Sequence, residues 1–127
     1  MQDKVTFEYA IIKLVPKVER EEFFNIGVIL FSKRKNFLDI KYHINADKLK
    51  ALSPEIELTL LNDYLNAWKL ICDGKSSGGK IGKLEISDRF RWLAACRSTI
   101  IQSSKTHPGL CESPKDELED IFKKYVL

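Results

Sequence analysis

Apolar residues occupy every second position near the start of the chain, the pattern of a β-strand with one buried face. From Ala10 onward the apolar positions become continuous, which favours a strand that is covered on both sides or bulged. We therefore predict a strand over residues 5–15 that ends at Pro16. The residues on its alternating face are Val5, Phe7, Tyr9 and Ile11.

Two more apolar runs follow within the first 44 residues. Residues 26–31 (IGVILF) are rich in β-branched and aromatic side chains and predict a buried central strand. Residues 37–44 (FLDIKYHI) alternate again, and the polar stretch SKRKN between the two runs is typical of a hairpin loop. The pattern predicts a three-stranded antiparallel meander.

Helical spacing replaces alternation after residue 44. Asn45 is a candidate cap for a short helix, and Ser53 with Pro54 predicts the start of a longer helix over 53–73. Gly74 is placed to end that helix. Its apolar stripe, which we expect to lie across the sheet, consists of Leu61, Tyr64, Leu65, Trp68, Ile71 and Cys72.

The remaining segments are shorter. Residues 74–83 (GKSSGGKIGK) predict a flexible basic loop within the domain. We then expect a short strand at 84–86, a helix over 88–98 capped by Ser87, a fourth strand at 99–104, a loop at 105–114 and a terminal helix capped by Ser113. Together these elements predict one α+β domain spanning 1–127, with an antiparallel sheet of about four strands and helices packed mainly on one face.

Composition narrows the class of protein only slightly. The chain has 127 residues, a net charge of +3, and 31% charged residues, which suits one globular domain without a marked preference for nucleic acid. Cys72, Cys96 and Cys111 form no C-x-x-C pair, and the odd count favours reduced thiols in the cytoplasm. No apolar stretch is long enough to predict a membrane span.

Three catalytic or ligand-binding patterns are incomplete. Gly74, Gly79 and Lys80 match part of a phosphate-binding loop, but Ile81 stands where Ser or Thr would hold magnesium, and the loop follows a helix. His107 and Cys111 are close in sequence but have no orienting partner nearby. Glu8 and Asp39 do not form a nuclease-like set of carboxylates. We therefore predict no catalytic residue, metal or cofactor.

Two sets of polar residues are candidates for binding. The first is a patch for a protein partner, since polar side chains at the ends of elements often form recognition surfaces. It consists of Arg20, Glu22, Asn25, Arg97, Gln102 and Ser103. The second is basic and suits phosphate contacts. It consists of Lys33, Arg34 and Lys35 at the predicted hairpin tip, with Arg89 and Arg91 on the predicted helix.

Two stretches resemble the bacterial domain-of-unknown-function family 3037. They are YAIIKLVP (9–16) with REEFFNIGVIL (20–30), and RFRWLAACRSTIIQSS (89–104) followed by HPGL. The family pattern reads Arg-Gly-Glu-x-x-Asn-(Ile/Val)-Gly-(Val/Ile), and Glu21 replaces its glycine here. The resemblance implies a small bacterial protein without assigned activity, often encoded beside a HipA-like serine/threonine kinase in toxin–antitoxin or defence loci.

These observations lead to three functional hypotheses. The first is a non-enzymatic accessory or protein-interaction module whose partner, by the resemblance, is a HipA-like kinase. The second is a nucleic-acid-binding module that uses the basic tip and the arginine-bearing helix. The third is a hydrolase or nuclease whose groups converge only in three dimensions. For residues 19–31 (EREEFFNIGVILF) we predict a structural role, namely a clamped turn that leads into a central strand.

Overall fold

The structure is a computed structural model that describes residues 3–17, 22–74, 78–96 and 100–127. Its strands are β1 (Val5–Lys17), β2 (Glu22–Ser32), β3 (Phe37–Tyr42), β4 (Ile101–Ser103) and β5 (His107–Cys111). Its helices are α1 (Ala46–Leu52), α2 (Leu58–Asp73), α3 (Gly79–Gly82), α4 (Ile86–Ala94) and α5 (Pro114–Tyr125). The predicted α+β class is confirmed.

β1 lies at the centre of one antiparallel sheet. It pairs on one side with β2, and β2 pairs with β3, so the predicted meander is confirmed. On its other side β1 pairs first with β5, through residues 5–9, and then with β4, through residues 12–14. Ser104 joins the two short strands, because its amide donates to the Ile11 carbonyl oxygen at 2.8 Å. β4 and β5 therefore act as one interrupted edge strand.

The sheet has a hydrophobic core on each face. The larger core lies under α1 to α4 and includes Leu65, Trp68 and Leu93, and the smaller lies under α5 and includes Phe122. Most helices therefore pack on one face, as predicted, and α5 covers the other. The caps expected for α1 and α5 are also present, since Asn45 Oδ1 accepts from the Lys48 amide and Ser113 Oγ from the Asp116 amide.

Several predicted boundaries were wrong, each for a local reason. Pro16 lies inside β1, at an irregularity in its pairing with β2, and does not end the strand. Ser53 ends α1, because its amide donates to the Leu49 carbonyl oxygen, and α2 begins only at Leu58. The predicted strand at 84–86 is not present, because Leu84 and Glu85 lie between α3 and α4 and Ile86 begins α4. Ser87 therefore lies inside α4 and does not cap it.

The predicted loop at 105–114 contains β5. Pro108 and Gly109 favour a loop in sequence, but both lie in a strand that pairs with β1 on one side only. Proline is tolerated in an edge strand because its missing amide hydrogen can face away from the sheet. A Cβ on Gly109 would lie 2.5 Å from the Phe7 ring, so glycine also lets β5 approach that ring closely.

Candidate functional site

A β-bulge interrupts β2 at Ile26. Gly27 pairs with Ile12 and Asn25 pairs with Lys13, so Ile26 is the extra residue between them. Its carbonyl oxygen accepts a hydrogen bond from the His43 amide at 2.8 Å. The extra residue also resets the alternation of β2, and apolar side chains from both halves of the strand therefore reach the larger core. These side chains are Phe24, Ile26, Ile29 and Phe31.

Gly27 is required at this point because neighbouring strands approach closely. A Cβ built on Gly27 would lie 2.9 Å from the Lys41 carbonyl oxygen and 3.0 Å from the Tyr42 Cβ. Both are parts of the adjacent strand and have little room to move. The glycine of the NIG sequence therefore allows the bulge to fit between β1 and β3.

Asn25 faces the opposite side of the sheet from Phe24 and Ile26. Its side-chain Nδ2 donates a hydrogen bond to the Tyr125 carbonyl oxygen at 3.1 Å. Tyr125 is the last residue of α5, and such a carbonyl has no partner within its own helix. Asn25 thus fastens the end of α5 to the sheet. The turn that was predicted to be clamped before this strand includes residues 18–21, which lie outside the described residues.

The face that carries α5 is only partly covered. The helix lies over β2 and β3, and its core also buries Val5, Phe7, Ile11 and Cys111. Other side chains of β1, β4 and β5 on the same face stay at least partly exposed. Lys13 pairs with Asn25 on one side and with Gln102 on the other, which gives a polar row across the sheet. We call this region the open strip. Its residues are Tyr9, Lys13, Phe23, Asn25, Gln102 and His107.

Aromatic rings occupy two positions along the open strip. At one end the Phe23 side chain is 52% exposed, and Lys13 Nζ lies 4.4 Å from its ring centroid. At the other end the Tyr9 and His107 ring centroids are 5.2 Å apart, and His107 is exposed. Lys13 and Tyr9 are four residues apart on β1, which places the two aromatic positions about 13 Å apart along the strand.

Positive charge is concentrated near the end of α5. Lys123 and Lys124 are exposed in its last turn, and Lys124 Nζ lies 5.3 Å from the Tyr125 ring centroid. Burial and the neighbouring Tyr125 raise the pKa of the Tyr9 hydroxyl, and the carboxylate of Glu117 adds a smaller effect. Tyr9 therefore presents a neutral ring and hydroxyl group at physiological pH, with lysines close to the same end of the helix.

A family model described as "Protein of unknown function (DUF3037)" matches residues 9–126. The chain belongs to this family. The match confirms the resemblance seen in the sequence, and it includes the bulge, the open strip and all of α5. No curated protein and no solved structure matches the chain.

The DUF3037 fold separates the predicted partner-binding residues. Gln102 lies on the open strip with Asn25, whereas Ser103 is 3% exposed and donates a hydrogen bond from Oγ to the Leu93 carbonyl oxygen at 2.8 Å. Ser103 therefore joins β4 to α4 in the interior and is not a surface residue. Glu22 begins β2. Arg20 and Arg97 lie outside the described residues.

The predicted basic residues also have different roles. The Arg89 guanidinium donates to the carbonyl oxygens of Ile71, Cys72 and Leu84 at 2.8 to 3.0 Å, and so closes the end of α2. That placement makes Arg89 a structural residue of the DUF3037 fold, while Arg91 is exposed on α4. Lys33, Arg34 and Lys35 are all exposed in the turn between β2 and β3, as predicted.

The sequence did not favour a catalytic thiol–imidazole pair of Cys111 and His107, and the structure keeps the two residues apart. His107 and Cys111 lie at opposite ends of β5, about 13 Å apart along the strand, which is beyond hydrogen-bond reach. Burial raises the pKa of the Cys111 thiol, with a further contribution from Glu117, and burial likewise raises the pKa of Cys72. Both thiols therefore hold their protons at neutral pH, which disfavours nucleophilic chemistry.

The described parts of the chain contain neither a metal-binding cluster nor a helix that could span a membrane. Within residues 3–17, 22–74, 78–96 and 100–127, no three His, Cys, Asp or Glu side chains converge as a metal-binding group. Asp39 accepts a hydrogen bond from Lys69, which also lies 3.4 Å from Asp73. None of the helices in these ranges combines the length and the apolar character that a membrane span requires.

Sequence reasoning did not single out Tyr9, Lys13 and Phe23 as surface residues, and it considered His107 only in a pair with Cys111. The sequence predicted Tyr9 as part of a buried strand face, and that face is indeed apolar at Phe7 and Ile11. The bulge at Ile26 hides the link to Phe23, because simple alternation back from Ile29 and Val28 assigns Phe23 to the wrong side of β2.

Proposed function

We propose that this DUF3037 protein is a non-enzymatic module that binds single-stranded nucleic acid through the open strip. The observation that supports the proposal is the combination of exposed aromatic rings and lysines on one partly uncovered sheet face. This surface differs from the one expected from the sequence, where the hairpin tip and the Arg89 helix were the candidates.

Stacking is the contact that the open strip suits best. Unpaired bases stack on aromatic side chains, and each such contact contributes about 1–3 kcal/mol to binding. Phe23 and the Tyr9–His107 pair provide two stacking positions about 13 Å apart, a spacing that a flexible single strand can bridge. A duplex keeps its bases paired inside the helix and cannot use these rings in the same way.

The lysines complete the proposed interaction. Lys13 lies against the Phe23 ring at one aromatic position, and Lys123 and Lys124 lie at the end of α5 beside Asn25. Ammonium groups in these positions would neutralise backbone phosphates while the bases stack. The side chains of Asn25 and Gln102 lie in the same row, and Asn25 Nδ2 donates to Tyr125.

A direct binding measurement tests this function. Fluorescence anisotropy with labelled DNA and RNA single strands of about twelve nucleotides should show binding that weakens as salt rises, and a duplex of the same sequence should bind less tightly. Phe23→Ala should weaken binding by about 5- to 100-fold through loss of one stacking contact. Lys13→Glu should weaken it as well.

Matched controls separate the open strip from general surface effects. Trp92→Ala removes an aromatic side chain that is 42% exposed on α4, and Lys50→Glu reverses an exposed charge on α1. Both variants should bind like the wild type. Absence of binding at low salt, or equal losses in the control variants, would refute the proposal.

The hypothesis of a protein partner is the main competitor. The HipA-like kinase is implied by the family resemblance and stays a prediction. If a purified kinase of that type bound the protein, if Phe23→Ala and Lys13→Glu abolished that binding, and if no single strand bound, the open strip would be a protein interface instead.

A further inference from the structure

We infer that Asp39 and Lys69 close the free edge of β3 to strand pairing, so that a second copy of this chain cannot add its own β3 there. The unpaired backbone of an edge strand is a template for another strand, and such pairing would join two sheets into one. The inference is independent of the proposed function, since neither residue belongs to the open strip.

The backbone of β3 has one side that faces away from the sheet. Among the described strands, β3 pairs with β2 alone. In an antiparallel pair, alternate residues direct their backbone groups toward the partner strand and away from it. The His43 amide donates to the Ile26 carbonyl oxygen of β2, so residues in step with His43 face β2. The amides that point toward the free edge are therefore those of Leu38, Ile40 and Tyr42.

The amide at the middle of this edge already has a partner. The Ile40 amide donates to Asp39 Oδ1 at 2.8 Å. An incoming strand would need the same amide as a donor to one of its own carbonyl oxygens, and the carboxylate would first have to leave. Hydrogen bonds to a charged acceptor are stronger than bonds between neutral groups, so this exchange disfavours pairing.

Lys69 reaches the carboxylate from the opposite face of the sheet. Asp39 pairs with Leu30, whose side chain lies in the smaller core, so Asp39 starts on the α5 face. Lys69 belongs to α2, which covers the other face. Because Lys69 Nζ donates to Asp39 Oδ1, this ion pair passes around the free edge of β3. It lies where the backbone of an added strand would have to lie.

Neighbouring charges hold this arrangement in place. Lys69 Nζ also lies 3.4 Å from a carboxylate oxygen of Asp73, the last residue of α2. Burial lowers the pKa of Lys69, but the hydrogen bond and charge of Asp39, with a smaller effect of Asp73, raise it by more. Lys69 therefore stays protonated at neutral pH. The other charged side chain of β3, Lys41, forms an ion pair with Glu119 of α5.

Loss of the carboxylate should leave an edge that suits a second copy of β3. Two copies related by a two-fold axis can pair in antiparallel fashion about Ile40, with about six backbone hydrogen bonds between them. The axis would run perpendicular to the sheet and keep the two faces in register. Leu38 and Ile40 of both copies would then lie on the same face, the one that carries the larger core.

The test is sedimentation velocity at protein concentrations from about 10 μM to about 1 mM, applied to four proteins. They are the wild type, Asp39→Ala, Lys69→Ala and a matched control, Asp63→Ala, which removes an exposed carboxylate elsewhere on α2. Thermal unfolding establishes that each variant keeps its fold. Hydrogen exchange at the three outward amides of β3 reports whether this strand forms the contact.

Asp39→Ala removes both the ion pair and the acceptor of the Ile40 amide, and should strengthen dimerisation by about 10- to 100-fold relative to the wild type. Lys69→Ala leaves the acceptor in place and should have a smaller effect in the same direction. In the variants, the outward amides of β3 should exchange more slowly at concentrations where the dimer is populated. Asp63→Ala should behave as the wild type does.

Three results would overturn the inference. Equal sedimentation of the wild type, Asp39→Ala and Lys69→Ala over the whole range would show that the carboxylate does not control the edge. Dimerisation of Asp39→Ala without slower exchange on β3 would place the contact elsewhere. Slower exchange of the same amides in the wild type as its concentration rises would show that the edge is open without any substitution.

Discussion

The two faces of the sheet are built from alternate residues of the same strands, yet they differ in how completely they are covered. On the face under α1 to α4, the helices bury a continuous apolar core, and polar groups such as Ser103 and Arg89 are engaged by internal carbonyl oxygens. On the other face, α5 covers β2 and β3 and leaves the open strip beside it.

Because of this difference, the residues that only stabilise the fold and the residues proposed to bind a ligand lie on different faces of the sheet. A side chain on the covered face has a role only in holding the fold together, because it cannot meet a ligand without unfolding. On the other face, binding and core residues alternate along one strand. Tyr9 and Lys13 belong to the open strip, and Ile11 between them is buried in the smaller core. Substitutions on the two faces should therefore affect different measurements.

The largest contrast is expected between Leu65→Ala and Phe23→Ala. Leu65 is 0% exposed on the covered face, and its truncation should lower the free energy of unfolding by about 2–5 kcal/mol. Phe23 is half exposed, and its truncation should change that free energy by no more than about 0.5 kcal/mol. Urea unfolding of both variants measures the difference, and comparable losses would contradict the division between the faces.

The bulge should be the next most sensitive feature. Gly27→Ala places a Cβ against the Lys41 carbonyl oxygen and the Tyr42 Cβ, and should cost about 1–3 kcal/mol of stability through overpacking. The same urea series provides the measurement. An unchanged unfolding midpoint would mean that β2 and β3 move apart more easily than their pairing suggests.

Arg89 and Arg91 offer a comparison within one helix. Arg89→Ala leaves the carbonyl oxygens at the end of α2 without their donor and should cost about 1–2 kcal/mol, whereas Arg91→Ala should be nearly neutral. Thermal unfolding of the two variants measures this difference in stability. A larger effect at Arg91 would show that α4 has a stabilising contact on its outer side.

A smaller loss of stability is expected at Asn25, which both holds the end of α5 and lies on the proposed binding surface. Asn25→Ala removes the hydrogen bond to Tyr125 and should lower the free energy of unfolding by about 1 kcal/mol, with a lesser change in nucleic-acid affinity. Unfolding and anisotropy measured on the same preparation distinguish the two roles. Retained stability with lost binding would make Asn25 a recognition residue.

The smallest change in the free energy of unfolding is expected from the ionisation of the Tyr9 hydroxyl group. Its pKa is raised above the ordinary value of 10.0, mainly by burial, so the folded protein holds this proton more tightly than the unfolded chain. The contribution of Tyr9 to stability is therefore present below pH 10 and is lost as the pH rises through the folded pKa. Stability measured across this range should fall more steeply for the wild type than for Tyr9→Phe.

Much of the fold could be predicted because local pattern and tertiary structure agree. The meander follows from alternation around Phe7, and the core side of α2 follows from the helical spacing of Leu61, Leu65 and Trp68. Strand β5 could not be predicted, because Pro108 and Gly109 are usual in loops. Only the one-sided pairing of an edge strand makes them compatible with a sheet.

The candidate site was harder to predict because it depends on where α5 lies. Its terminal carbonyl meets Asn25 across 100 residues of sequence, and no local pattern encodes that contact. The same placement decides that Leu30 is fully buried while Tyr9 beside it stays partly exposed. Arg89 was similarly misjudged, since its exposed helical position gave no sign of the α2 carbonyl oxygens that it meets.

The interrupted strand made by β4 and β5 has a consequence for solubility. The edge of a sheet can act as a template to which another chain adds its own strand, the first step toward aggregation. Here the template is broken, since residues 104–106 separate the two strands and Pro108 lacks an amide hydrogen. On this side of the sheet an incoming strand finds only short stretches to pair with, which should help the protein stay dispersed at high concentration.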